Sequence, residues 1–290
     1  MSPPVTNGPA RLRQLLAEER LVVAPGVYDA VAARLVEQSG FRAVYMTGYG
    51  TVASRLGLPD LGLATMSEMV EWAAQIAGAV SLPVIADADT GYGNALNVKR
   101  TVWAYEQAGL AGLHLEDQVA PKKCGHMAGK QVVPAAEMCG KLRAAVDARR
   151  SPDFLLIART DTIAVEGFEA AVERANAYLE AGADVAFVEA PETLEQLRAI
   201  PKRVAGPCLF NAVLSGKALA PFADLAEAGY RLVIVPVTAL YAAAAAVQAT
   251  LTELQAHGDL ERLSQPTLSF ADFNALIGAP AMQADAERYA

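Results

Sequence analysis

Short runs of β-branched and other apolar residues recur along the chain, separated by stretches with helical spacing. The runs predict strands at Leu21–Ala24, Ala43–Thr47, Val84–Asp87, Gly112–Leu115, Phe154–Ala158, Val185–Glu189, Cys208–Asn211 and Leu232–Pro236. Apolar residues at a 3.6 period predict helices over Asp29–Ser39, Met66–Ala79, Val98–Ala108, Ala135–Arg149, Gly167–Ala181, Leu194–Ala199 and Pro221–Ala228. Three helices end in an Ala-Gly pair just before a strand: Ala108-Gly109, Ala181-Gly182 and Ala228-Gly229. Glycine there takes the left-handed conformation that stops a helix. Strand–helix alternation on this scale predicts an α/β fold, a (β/α)8 TIM-type barrel in preference to an open doubly wound sheet. Such a barrel collects its chemistry at the C-terminal ends of the strands. Thr47, Asp87, Glu116, Arg159, Glu189 and Asn211 each sit at or just past the end of an apolar run.

At 290 residues and 53% hydrophobic, the chain can bury a substantial core. No linker or low-complexity segment divides it, so residues 1–265 are expected to form the catalytic barrel. Residues 266–290 follow the Ser264–Thr267 break and are expected to be a C-terminal helical arm of the same domain. The arm packs either on its own barrel or on a neighbouring subunit. A net charge of −8, with no basic tract, argues against nucleic acid and anionic membranes as partners. Local cations or a metal still leave anionic substrates open. Cys124, Cys139 and Cys208 are too few and scattered for a disulfide framework and suit a reducing compartment. Met1–Gly8 lacks the apolar core of a signal peptide, and Leu240–Val247 is too short and Ala-rich to span a bilayer. A cytoplasmic location is therefore expected.

The acids come first among the chemical motifs. Residues two apart on a strand point to one side, so Asp87 and Asp89 of Asp87-Ala88-Asp89-Thr90-Gly91-Tyr92-Gly93 are expected to converge. Glu116, with Asp117 beside it, ends another run. Carboxylate oxygens completed by water suit Mg²⁺, with Mn²⁺ also admissible, making Asp87, Asp89 and Glu116 the candidate metal ligands. Cys124 lies among Lys122, Lys123, Gly125 and His126, and nearby cations favour thiolate formation. A zinc knuckle fails on ligand count. Cys139 and Cys208 read as small buried hydrophobes. Arg159 ends a strongly apolar strand, placed to grip a carboxylate bidentately or to pair with Asp161 or Glu189. Tyr45-Met46-Thr47-Gly48-Tyr49-Gly50 reads as a hydroxyl-bearing Gly-rich turn able to close around a substrate carboxylate. His114 alternates between Leu113 and Leu115, with structural and catalytic roles both open; His257 reads as surface.

Together these motifs resemble the isocitrate lyase/phosphoenolpyruvate mutase superfamily, in its C–C lyase branch. The resemblance runs from Pro25-Gly26-Val27-Tyr28-Asp29-Ala30 through Gly57-Leu58-Pro59-Asp60 to Pro236. Lys122-Lys123-Cys124-Gly125-His126 is its most specific mark, since mutases and phosphonate hydrolases of the superfamily lack this Cys. Within the branch, Tyr45–Gly50 is similar to the 2,3-dimethylmalate lyases and other 2-alkylmalate lyases. Methylisocitrate lyases carry Thr-Glu-Phe-Gly where this chain reads Asn211-Ala212-Val213-Leu214-Ser215-Gly216-Lys217, which points away from a tricarboxylate. The same stretch lacks the Glu that dimethylmalate-lyase-like chains usually place before Gly-Lys. Pro236 stands where oxaloacetate hydrolases tend to place a Ser.

The resemblance implies a Mg²⁺-dependent oxo-acid lyase cleaving a 2-hydroxy dicarboxylate, such as 2,3-dimethylmalate, to an α-keto acid such as pyruvate plus a saturated carboxylic acid. Methylisocitrate or isocitrate cleavage is the alternative, and oxaloacetate hydrolysis or phosphonopyruvate-type chemistry the second. A non-catalytic metabolite-binding barrel is a further rival, disfavoured by the intact acids and thiol. The resemblance also implies a loop closing over substrate and a homotetramer, a dimer of helix-swapped dimers. The catalytic candidates are Cys124 as proton donor, Tyr45 (or a metal-bound hydroxide) as base, Arg159 against the enediolate, and His126 in the loop. Thr47, Gly48, Tyr49, Asp60, Lys122, Gly125, Glu189, Asn211 and Pro236 are the substrate-binding candidates.

Overall fold

The computed structural model describes residues 8–290 apart from 126, 128, 215, 216 and 265. Strands β1 (Val22–Val27), β2 (Val44–Met46), β3 (Val84–Asp87), β4 (Gly112–Glu116), β5 (Leu155–Thr160), β6 (Val185–Val188), β7 (Cys208–Asn211) and β8 (Leu232–Val235) close a parallel barrel in chain order. β8 returns to β1, with Val22 opposite Leu232 and Pro25 opposite Val235. All eight expected strands form, and the barrel expectation holds. The strands read as unbroken apolar runs because both faces are covered.

The helices are α1 (Gly8–Glu18), α2 (Ala30–Gln38), α3 (Gly48–Leu56), α4 (Met66–Ala79), α5 (Ala95–Gln107), α6 (Ala135–Ala148), α7 (Ile163–Glu166), α8 (Phe168–Glu180), α9 (Leu194–Arg203), α10 (Phe222–Ala228), α11 (Thr238–His257), α12 (Phe270–Leu276) and α13 (Ala279–Tyr289). Gly109, Gly182 and Gly229 have φ of 87°, 108° and 110°, the left-handed stops expected at the three Ala-Gly pairs. Three helices escape the periodicity reading: α1, α3 and the one-turn α7. α1 buries Leu12 and Leu15 against Val22, Leu155, Val185 and Leu232 inside the barrel, and so plugs its N-terminal end. Arg13 holds the plug in place by donating to the Asp184 carboxylate at 2.9 Å.

The second is α3, which corrects the expectation of a Gly-rich turn at Tyr45–Gly50. Thr47 caps the helix by accepting from the Gly50 N–H at 3.2 Å. A Cβ at Gly48 would overlap the Asp87 carboxylate, so the glycine lets the helix start against that acid.

Period-2 geometry then decides what faces the barrel's mouth. Ile85 and Ile157 belong to the interior cluster, while Ala86, Leu113, Ala158, Val188 and Phe210 pack outward against helices. One step beyond the interior residues, the same inward side carries Asp87 after Ile85, Arg159 after Ile157, Glu189 after Phe187 and Asn211 after Leu209. The apolar floor of the barrel thus ends in a charged rim.

Beyond the barrel, α11 to α13 contain no fully buried residue, and Phe270 and Tyr289 are 89% and 82% exposed. α12 touches α2, where Arg34 donates to the Leu276 carbonyl at 3.4 Å. Among the described residues no helix is long and apolar enough to cross a membrane.

Candidate active site

A cavity of about 690 Å³, counting its open mouth, lies at the C-terminal ends of the strands. Tyr45, Thr47, Tyr49, Asp60, Asp87, Lys122, Cys124, Gly125, Arg159, Asn211 and Pro236 make up much of its wall. These expected site residues come from segments far apart in the sequence. Asp89, Glu116 and Glu189 form a buried layer tied to the wall by Lys122 and Arg159. Gly48 abuts Asp87. His126, a catalytic candidate, lies outside the described residues.

The Asp87–Asp89 pair forms by a route other than the expected strand alternation. β3 stops at Asp87, and Asp89 lies beyond it with φ of 47°, a left-handed conformation uncommon outside glycine. That bend lets the Asp89 N–H donate to Asp87 Oδ1 at 2.9 Å. Asp89 then faces the Lys122 ammonium at 2.7 Å, which donates equally closely to Asp60. Burial, together with the neighbouring Asp87 and Asp60 charges, outweighs Lys122 and pushes the Asp89 carboxyl up to about 6. Burial also opposes charge on Asp87, but cationic neighbours including Lys122 and Arg159 hold it below its ordinary value.

The lysines beside Cys124 have partners of their own. The Lys122 ammonium is engaged by Asp60 and Asp89, and that of Lys123 donates to the Gly129 carbonyl at 3.0 Å. Cys139 is half-buried and Cys208 fully buried, in keeping with packing roles.

Arg159 is gripped bidentately by Asp161, at 2.9 and 3.1 Å, and faces Glu116 at 3.3 Å and Glu189 at 3.7 Å. Its guanidinium lies over the Phe187 ring, 5.1 Å from the centroid. Asn211 donates to both Glu189 oxygens, at 3.2 and 3.1 Å. A Cβ on Gly125 would overlap Arg159 and crowd Glu189, so glycine is what lets the Cys124 segment lie against this cluster. Asp117 points elsewhere: it accepts from Thr160 and Tyr178, at 2.7 Å each, and from the Asp161 N–H.

Tyr45 shares a 2.8 Å hydrogen bond with His114 Nε2, and His114 lies 3.6 Å from Asp87. Burial pushes the Tyr45 phenol well above its ordinary value, with Asp87 adding to the effect. Burial likewise lowers His114 to about 4, leaving the imidazole neutral at pH 7. Burial thus favours the protonated phenol, which weighs against Tyr45 and toward the other expected base.

The site fits a hydrated hard cation. Buried Asp60, Asp87, Asp89, Glu116, Asp161 and Glu189 outnumber Lys122, Lys130 and Arg159, and Glu116 Oε1 is buried without a hydrogen-bond partner among the described residues. Burial raises the Glu116 carboxyl well above its ordinary value, despite Arg159 and Lys122. Among the described residues no three His, Cys, Asp or Glu side chains converge on one point. An ion here would use water for part of its shell, as Mg²⁺ commonly does.

Sequence reasoning did not single out Val213, Val237 or Tyr241 as parts of the cavity wall. Tyr241 opens an Ala-rich helix, and nothing in that pattern marks a site.

The family model for phosphoenolpyruvate phosphomutase matches residues 12–255. The chain belongs to that family. It is 46% identical to the 2,3-dimethylmalate lyase of Eubacterium barkeri, over 98% of this chain and 99% of that protein. The 2-methylisocitrate lyase of Aeropyrum pernix is also 46% identical, over 92% of this chain and 86% of its own length. Among solved structures, oxaloacetate acetylhydrolase with the inhibitor 3,3-difluorooxalacetate superposes with a TM-score of 0.92 at 40% identity, covering 97% of each chain. Phosphonopyruvate hydrolase with oxalate and Mg²⁺ superposes with a TM-score of 0.89 at 33% identity, covering 98% of this chain and 99% of that one. These matches bear out the superfamily resemblance drawn from the motifs.

Proposed function

We propose that this protein is a Mg²⁺-dependent carbon–carbon lyase that cleaves a 2-alkylmalate, such as 2,3-dimethylmalate, to an α-keto acid such as pyruvate plus a saturated carboxylic acid. The observation carrying this reading is that Cys124 and Gly125 line the same cavity as Asp87 and Arg159. A proton donor thus shares one small space with an acid suited to a metal and a cation suited to a carboxylate. Asp87, with Asp89 and Glu116 through water, would hold Mg²⁺, which supplies positive charge to the substrate's 2-oxygen and adjacent carboxylate.

A water held in the cavity takes the proton of the C2 hydroxyl, C2=O forms as the C2–C3 bond breaks, and the electron pair of that bond moves onto C3 and the neighbouring carboxylate as an enediolate. Arg159, oriented by Asp161 and Glu189, stabilises that charge. Cys124 returns a proton to C3 as general acid. Tyr45 acts as a phenol donor to the ionising oxygen, with His114 as its hydrogen-bond partner. Gly125 and His126 let the loop exclude water. Val213, Leu214, Pro236 and Val237 give part of the wall an apolar character suited to an alkyl substituent. The Lys122 ammonium is already matched by Asp60 and Asp89, which favours a dicarboxylate over a tricarboxylate.

The deciding assay screens 2,3-dimethylmalate, citramalate, 2-methylisocitrate, isocitrate, oxaloacetate and phosphonopyruvate with Mg²⁺, following keto-acid or oxalate release. Turnover of an alkylmalate with the highest kcat/KM supports the proposal. Preference for methylisocitrate would favour the second reading, and turnover confined to phosphonopyruvate or oxaloacetate would overturn C–C lyase chemistry. The exposed apolar faces of α11 to α13 support a homotetramer in which these helices are exchanged between subunits. Residues 266–290 are the arm of the barrel domain. The composition supports a cytoplasmic setting.

A further inference from the structure

Lys130 was absent from the expected site, yet its ammonium is buried at the join between two parts of it. The side chain is 2% exposed and Asp161 is fully covered. One contact is to Asp161 Oδ1, at 2.8 Å. The other is a close hydrogen bond to the Gly125 carbonyl, next in sequence to Cys124. Asp161 uses the same Oδ1 and its Oδ2 to clamp Arg159. Its own backbone is held by Asp117, which accepts from the Asp161 N–H at 3.0 Å. A chain of contacts therefore runs from a rigid strand end, through Asp161 and Lys130, to the backbone that carries the thiol.

We infer that Lys130 is a positioning residue: it ties the Cys124–Gly125 backbone to the carboxylate that orients Arg159, so that proton donor and anion anchor are set as one unit. An ammonium suits this task because it offers several donors, one for the carbonyl and one for the carboxylate. An apolar side chain of equal length would take the donor from the buried Gly125 carbonyl and leave Arg159 as the cation on Asp161 Oδ1. The space left for the segment is narrow, since a single added carbon on Gly125 would overlap Arg159. Small displacements there act directly on the distance between the thiol and C3 of the substrate. The catalytic consequence rests on the proposed role of Cys124; the structural one does not.

The test compares the parent with Lys130→Met, Lys130→Arg and Lys130→Gln. Each purified protein is treated with iodoacetamide, and the modification rates of Cys124, Cys139 and Cys208 are read separately by peptide mass spectrometry. Loss of the tie is expected to raise the Cys124 rate about tenfold in Lys130→Met while the buried Cys208 stays at its parental rate. Lys130→Arg should restore most of the difference. In 2,3-dimethylmalate cleavage, kcat is expected to fall about 100-fold with KM changed far less, because misplacement of about an ångström has that effect. An unchanged Cys124 rate in a folded Lys130→Met protein overturns the inference, as does a rise shared equally by all the cysteines. If Lys130→Met does not fold, Lys130→Gln keeps a polar group beside Asp161, and the same two outcomes decide. A parent that cleaves no alkylmalate sinks the proposed function instead, and leaves the thiol measurement intact.

Discussion

At the scale of single residues, the site depends on a few groups whose ordinary chemistry is altered by burial. Cys124→Ser keeps the volume and a weak donor but removes the thiol, and should lower kcat by about 100-fold or more while leaving the thermal midpoint almost unchanged. Parental turnover by that variant would remove Cys124 from the mechanism. Asp87→Ala should abolish Mg²⁺-stimulated turnover, with calorimetry showing loss of Mg²⁺ binding in the same protein. The strand-end acids, Arg159 and the Cys-bearing loop were legible because polar side chains interrupt apolar runs there. The partners of those groups were not. Lys122 pairs with Asp60, 62 residues away, and Lys130 with Asp161, 31 residues away. Neither pairing leaves a local pattern, because only the closed barrel brings the segments together.

Among the elements, α3 shows where periodicity failed. Its first turn, Gly48-Tyr49-Gly50, has the composition of a loop, and glycine is a poor helix former. The helix forms because Thr47 caps it and Gly48 lets it start against Asp87. Thr47→Val keeps the shape and removes the capping oxygen, so urea unfolding should show a loss of about 1 kcal/mol. A stability equal to the parent's would mean that water or another group replaces the cap. α1 was missed for a different reason: its function is to stopper the barrel floor, which has no meaning until the floor exists.

For the whole molecule, buried charge couples stability to pH. Burial opposes ionisation of Asp161, but Arg159 and Lys130 outweigh it and hold the carboxyl well below its ordinary value. A depressed folded value means the contribution is present above about pH 4, the unfolded value, and is lost as pH falls further. Urea midpoints measured from pH 7 down to about 2.5 should drop steeply below pH 4. Asp161→Asn should be less stable at pH 7 and show a shallower drop. The uncovered apolar residues of α11 to α13, including Val247, Leu251 and Phe270, predict assembly. Light scattering should give the mass of four chains, and removal of residues 266–290 should yield smaller species. A monomeric parent would contradict the proposed exchange of helices.

What the sequence determined by itself was the repeating unit: apolar strand, Gly-stopped helix, and a polar residue where each strand ends. Those features are local, because helix stops and strand alternation depend on backbone geometry over a few residues. The barrel floor follows from them once the strands close. Which charges meet, which cations are already matched, and whether a phenol or carboxyl is ionised were decided only by the tertiary structure. Those properties depend on burial and on distances between segments brought together by closure, and neither is encoded in any one stretch of the chain.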